Sequence, residues 1–159
     1  MKNIYLFLII FLIPFTLSGQ TISENSARLR FKFNSDWKFI LDDKPEYSSA
    51  ACNDSLWRSL SLPHDWSIEG PFDAKNPAGG QGAYLPGGIG WYRKNFSIAD
   101  SLKNKRVVIQ FDGIYMNSKV FINGQFLGQY PYGYTTFQYD LTDRIKFGKP
   151  NTIAVRVDN

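Results

Sequence analysis

A single cysteine, Cys52, cannot close a disulfide within the chain, and a single histidine, His64, cannot join it to complete a four-ligand zinc site. Stability must come from packing. Charge of one sign is scarce too: 18 Lys and Arg against 14 Asp and Glu leave a formal net charge of +4. No block of like charge occurs, so a nucleic-acid partner is not expected. No apolar run reaches the roughly 20 residues that a helix needs to span a bilayer. Gly80-Gln81-Gly82 opens like a dinucleotide fingerprint, but the third glycine is missing, no suitable strand precedes it and no helix follows. No cofactor is expected.

What is present begins with a leader. Lys2 is followed by an apolar run over residues 4–13, then Pro14, then small residues at Ser18 and Gly19. A positive start, a short apolar core and small residues ahead of a polar stretch describe a secretory signal peptide. Residues 1–19 are read as that peptide, with cleavage near Gly19 or Gln20, and residues 20–27 as a flexible lead-in. The mature chain is expected to be exported, periplasmic or extracellular, and free of the membrane after cleavage. Residues 28–159 then form one domain. Hydrophobic residues make up 43% of the chain, enough for a packed core. Aromatics reach 16%, which fits core filling by Phe or stacking of sugar faces on Trp and Tyr.

The period along the chain is two, the mark of half-buried strands. Leu29, Phe31 and Phe33 alternate with Arg28, Arg30 and Lys32. Trp37, Phe39 and Leu41 resume the alternation, and a short helical turn is expected around residues 48–51. Residues 57–62 and 91–98 read as strands, and residues 106–122 as two strands joined at Asp112-Gly113. Asn123-Gly124 supplies the two residues tolerant of positive φ that a tight type I′ hairpin needs, with residues 126–130 as the return strand. Asp140 is placed to cap a turn. Ile153, Val155 and Val157 form a last strand. The sum is an all-β, antiparallel sandwich.

Two stretches offer candidate binding residues. Pro63-His64-Asp65-Trp66 either presents a carboxylate and an indole to a sugar from Asp65 and Trp66, or is a turn in which Asp65 caps amides and Trp66 packs inward. The turn is the commoner outcome for such residues. Residues 69–90 hold three prolines and seven glycines besides Asn76 and Tyr84. A loop of that length in a compact domain is usually functional or disordered.

The chain also resembles a known family. Phe111-Asp112-Gly113-Ile114-Tyr115-Met116-Asn117-Ser118-Lys119-Val120-Phe121-Ile122-Asn123-Gly124 is similar to the core of the N-terminal sugar-binding domain of glycoside hydrolase family 2, which includes β-galactosidases, β-glucuronidases and β-mannosidases. The similarity continues through Tyr132-Gly133-Tyr134, Asp140-Leu141-Thr142-Asp143 and Asn151-Thr152-Ile153-Ala154-Val155-Arg156-Val157. Upstream it takes in Trp57, Leu62-Pro63-His64-Asp65-Trp66 and Gly90-Trp91-Tyr92-Arg93, so it runs from about residue 30 to the last residue. Within the family, Pro63-His64-Asp65-Trp66, Tyr84-Leu85-Pro86-Gly87-Gly88 and Gly90-Trp91-Tyr92 look most like exported β-galactosidases.

The resemblance implies a jelly-roll domain that precedes an immunoglobulin-like sandwich and a (β/α)₈ barrel. The barrel would hold an acid/base Glu and a nucleophile Glu, which a retaining glycosidase keeps about 5–5.5 Å apart. No acidic residue here matches either barrel motif, so no catalytic residue is expected in this chain, and it is expected to be inactive alone. Metal sites of relatives are implied beyond residue 159, which again leaves no metal here. A loop reaching the mouth of the active site is implied for residues 69–90, with Asn76 and Tyr84 as its contacts. The expected partners are a β-galactoside-like carbohydrate and the enzyme's remaining domains. A free-standing carbohydrate-binding module and a structural cell-surface sandwich are the alternatives, since fold alone does not choose among them.

Overall fold

The computed structural model describes residues 28–76 and 78–159; the expected leader and lead-in lie outside the described residues. The chain divides into two units, residues 1–31 and 32–159. Of the first, only residues 28–31 are described; they form no strand, and Leu29 and Phe31 are exposed.

The second unit is an antiparallel jelly-roll β-sandwich with no α-helix among its described residues. Eight strands follow in order: β1 (Trp37–Leu41), β2 (Arg58–Leu60), β3 (Ile89–Ser97), β4 (Val108–Phe111), β5 (Ser118–Ile122), β6 (Gln125–Tyr130), β7 (Phe137–Asp140) and β8 (Pro150–Asp158). Six form one sheet in the order β2-β1-β3-β8-β5-β6, and β4 pairs with β7 in the second. The β3–β8 ladder, from Ile89↔Asp158 to Ser97↔Pro150, is the spine of the larger sheet.

Side-chain alternation explains the layers. Trp37, Phe39, Tyr92, Val120, Ile122, Ile153, Val155 and Val157 point to one face of the larger sheet, where Ile109 and Phe137 of the smaller sheet meet them. The opposite face carries Trp91, Arg93, Ala154 and Phe121, and the connection between β1 and β2 lies over it. Burying both faces of one sheet requires that cover, because an antiparallel sheet otherwise leaves one side in water.

The hairpin forms where Asn123 and Gly124 place it, with φ of 52° and 82°, the left-handed pair a type I′ turn requires. Asn123 does more than turn. Its Nδ2 donates to the Arg144 carbonyl at 2.8 Å and to Asn151 Oδ1 at 2.9 Å, and its Oδ1 accepts from the Thr152 amide at 3.1 Å. The β5–β6 pairing includes a bulge at Val120/Phe121.

Several expectations are corrected. The alternation of Leu29, Phe31 and Phe33 does not make a strand: Leu29 and Phe31 are exposed, and Phe33 alone packs, edge-on against Trp37 and Phe96. Both sides of β1 are already hydrogen-bonded, to β2 and β3, which leaves it no place for a further strand. The helical turn sits at Pro45–Ser48 rather than at residues 48–51, because proline favours the first position of a helical turn. The strands on either side of Asp112-Gly113 do not pair with each other. β4 and β5 belong to different sheets, and residues 112–117 carry the chain between them. Asp140 does cap, its Oδ1 accepting from the Thr142 amide at 3.0 Å, but the turn after it does not lengthen into a helix.

Candidate functional site

Loops gather at the end of the sandwich where β8 finishes. Asn159 exchanges two backbone hydrogen bonds with Gly88, at 2.9 and 3.0 Å. The Asp158 amide donates to the Met116 carbonyl at 3.0 Å, and Asn159 Nδ2 donates to Ser67 Oγ at 2.7 Å. The end of β8 is thereby tied to the turn after β2, the start of β3 and the β4–β5 connection.

The long loop between β2 and β3 is structured. Its two ends meet where Pro86 packs on Gly70, a contact that leaves no room for a Cβ. Inside it, the Tyr84 carbonyl accepts from the Asp73 amide at 3.1 Å and from Asn76 Nδ2 at 2.7 Å. Gly79–Gly82 makes a 3₁₀ turn that ends on two successive left-handed residues, Ala83 (φ 53°) and Tyr84 (φ 54°). Neither is glycine, so each holds a conformation costing about 1–2 kcal/mol, a strain characteristic of binding loops. The Tyr84 ring folds over Gly80 and stays 46% exposed. Asn76 and Tyr84 are thus brought together directly.

Asp65 and Trp66 sit in the preceding turn. Asp65 is exposed, and its Oδ1 accepts from the Ser67 amide at 2.9 Å, capping the 3₁₀ turn Ser67–Glu69. Trp66 is only 6% exposed, stacked on Phe39 at 5.7 Å with its ring against Gly90. Its Nε1 is buried without a hydrogen-bond partner. Beside them His64 Nδ1 lies 2.8 Å from the Tyr92 hydroxyl, and its Nε2 lies 3.3 Å from both Arg58 and Glu69. Burial pushes the Tyr92 hydroxyl pKa up.

Among the described residues the carboxyl groups with shifted pKa values all move down. Hydrogen bonds from Arg58 hold Glu69 down to about 2. Hydrogen bonds from the Thr142 side chain and amide, then from Arg106, bring Asp140 to about 2. Asp43 is lowered by Arg156, and Asp42 by Tyr47 and Lys44. A glycosidase's general acid needs the opposite shift, so that it stays protonated until it donates. These four carboxylates are structural acceptors. Among the described residues no group of three or more His, Cys, Asp or Glu is placed to hold a metal ion, and no helix is long and apolar enough to cross a membrane.

Sequence reasoning missed the polar frame. Arg93, 1% exposed, donates to Asp54 at 3.0 Å and to the carbonyls of Tyr47 and Ser49 at 2.6 and 2.8 Å. Asp43 accepts from Trp91 Nε1 at 2.9 Å and from Arg156 at 3.0 and 2.8 Å. Together they pin the β1–β2 connection over the sheet. The only trace in the sequence is a charged residue between strand aromatics, which reads equally well as a solvent-facing position.

Fold and loops together define an antiparallel jelly-roll domain whose loops gather at the end of β8. Residues 29–159 match the glycosyl hydrolases family 2 sugar binding domain, so the chain belongs to that family. It is 54% identical over 134 residues to beta-galactosidase BoGH2A of Bacteroides ovatus, a match covering 84% of this chain and 16% of that protein. It is 36% identical over 140 residues to a beta-glucuronidase of Formosa agariphila, covering 87% of this chain and 14% of that one. Among solved structures, a beta-glycosidase from Bacteroides vulgatus superposes with a TM-score of 0.76 at 51% identity, over 79% of this chain and 16% of that one. The chain therefore spans about a sixth of the length of such relatives.

Proposed function

We propose that this chain is the non-catalytic N-terminal domain of an exported family 2 glycoside hydrolase that acts on β-galactosides, and that it hydrolyses nothing by itself. One observation carries the reading: a match at 54% identity covers 84% of this chain but only 16% of a beta-galactosidase. The domain braces the enzyme and shapes its substrate entrance through the loop that holds Asn76 and Tyr84. Support comes from that loop's geometry, in which left-handed Ala83 and Tyr84 hold the half-exposed Tyr84 ring over Gly80 while the Tyr84 carbonyl accepts from the Asn76 side chain. Export rests on the leader in residues 1–19, which directs the mature domain to the periplasm or beyond.

The test is kinetic. In the longer enzyme, hydrolysis of nitrophenyl β-galactoside should exceed that of the β-glucuronide, and Tyr84→Ala should raise KM by roughly three- to tenfold with kcat little changed, as expected when a binding contact is lost. Unchanged kinetics with a lower melting temperature would show Tyr84 to be part of the packing instead. Mass spectrometry of the exported protein should find a new N-terminus near Gln20; an intact Met1 in the mature enzyme would refute the leader.

A further inference from the structure

At the other end of the sandwich, where Ser97 pairs with Pro150, two connections are bound to each other. The β3–β4 connection makes a 3₁₀ turn at Asp100–Leu102. The β7–β8 connection meets it: Ile98 and Phe147 form a parallel bridge, and the Gly148 amide donates to the Ile98 carbonyl at 2.8 Å. Gly148 takes a left-handed φ of 65° close against the Asp100 side chain. One buried side chain fixes the rest of that turn. Asn151 Oδ1 accepts from the Lys146 amide at 2.8 Å, and its Nδ2 donates to the carbonyls of Lys146 and Lys149 at 2.9 and 3.0 Å. A groove of about 530 Å³ lies where the connections meet, lined by Asp100, Lys103, Ile145, Lys146, Phe147 and Lys149. β8 is nine residues long, so at about 3.3 Å per residue roughly 25 Å of strand separates this groove from the loops at Asn159.

Positive charge collects there. Arg106 pairs with Asp140 at 2.7 Å. Residues 100–106 and 140–149 hold five other Lys and Arg against two other Asp. All five are exposed, and none forms an ion pair among the described residues. Uncompensated charge of one sign beside a groove raises the local concentration of ligands of the other sign.

We propose that this groove binds an acidic glycan, a polysaccharide bearing carboxylate or sulfate groups. Lys103, Lys146 and Lys149 meet its anionic groups, and the Asp100 carboxylate accepts from its hydroxyls. The lining selects that occupant. A single-stranded nucleic acid needs exposed rings on which its bases stack, but Phe147 supplies the groove's one ring and is half-buried. An anionic membrane surface calls for exposed apolar side chains that enter it, but Ile145 is buried and no large exposed hydrophobic residue lines the groove. A carboxylate among cations is a handicap for a uniform polyanion. A charged sugar carries hydroxyl donors between its anionic groups, and Asp100 is an acceptor for them.

Titration of the longer enzyme with fluorescently labelled polygalacturonate and chondroitin sulfate tests this, with neutral dextran, oligothymidylate and phosphatidylglycerol vesicles alongside. At least one of the two acidic glycans should bind, and neutral dextran should not. Lys103→Gln/Lys146→Gln/Lys149→Gln should weaken that binding roughly tenfold or more, and the corresponding triple Arg variant should retain it. Equal binding by the parent and the triple Gln variant overturns the proposal, as does no binding of either acidic glycan. Oligothymidylate or vesicles binding as tightly as the glycans overturns it too, since the groove would then be a general cationic surface. Asp100→Ala separates recognition from bare charge. Loss of a hydroxyl acceptor should weaken glycan binding roughly three- to tenfold, whereas tighter binding on removal of the negative charge overturns the proposal. Hydrolysis of nitrophenyl β-galactoside is read in parallel and should be unchanged in every variant. Glycan binding by an enzyme without that hydrolysis would sink the proposed function and leave the groove standing.

Discussion

Arg93 shows how much of this domain's stability rests on single polar residues. Its guanidinium is buried against Asp54 and two carbonyls. Removing one partner of a buried pair strands the other, which costs about 3–5 kcal/mol. Arg93→Met should lower the unfolding free energy by that amount in denaturant titrations, and a loss below about 1 kcal/mol would show that water reaches the site. Glu69 and Asp140 act at the surface and through pH. Both are held at about 2 in the folded chain, below their ordinary 4.5 and 3.8. A depressed folded pKa adds stability that is present above the unfolded value and is lost as pH falls through the folded one. Urea midpoints should therefore decline between about pH 4.5 and pH 2, and Asp140→Asn should flatten that decline. An unaltered slope would count against the Thr142 and Arg106 contacts. The cap at Asp140 was legible in the sequence; the contacts of Arg93 and Glu69 were not. Asp65 and Trp66 illustrate the same limit, since the residues alone fit both a rim and a turn, and only burial places the indole inside.

At the scale of elements, the β5–β6 hairpin was legible because its signals are local: alternating Val120 and Ile122, then Asn123-Gly124. What anchors it was not. Asn151 is 1% exposed; its Oδ1 accepts from Asn123 and the Lys146 amide, and its Nδ2 donates to the carbonyls of Lys146 and Lys149. It clamps the turn before β8 to the hairpin. Asn151→Ala leaves several buried groups unpaired and should cost about 3 kcal/mol in chemical denaturation. A cost under about 1 kcal/mol would mean that the turn rearranges to satisfy them. The failed strand at Leu29–Phe33 has the converse cause. Alternation specifies which side chains share a face, but a strand also needs a partner edge, and that edge is set by residues distant in sequence. Non-local pairing likewise sends β4 and β5 to different sheets despite their short connection.

Across the whole molecule, the polar frame holds the β1–β2 connection over the larger sheet. The sandwich class was legible from period-two patterning and turn residues; the six-plus-two division of strands was not, because sheet order depends on contacts far apart in the chain. The loop was legible from its length as functional or disordered, and the bond from Asn76 to the Tyr84 carbonyl belongs to its ordered form. Asp43, Glu69 and Asp140 are carboxylates whose pKa their neighbours hold down. The most direct measurement is steady-state hydrolysis of nitrophenyl β-galactoside by the purified 159-residue chain and by the longer enzyme, side by side. No turnover above buffer by the short chain, with turnover by the longer enzyme, is the expected result; saturable hydrolysis by the short chain alone would contradict it.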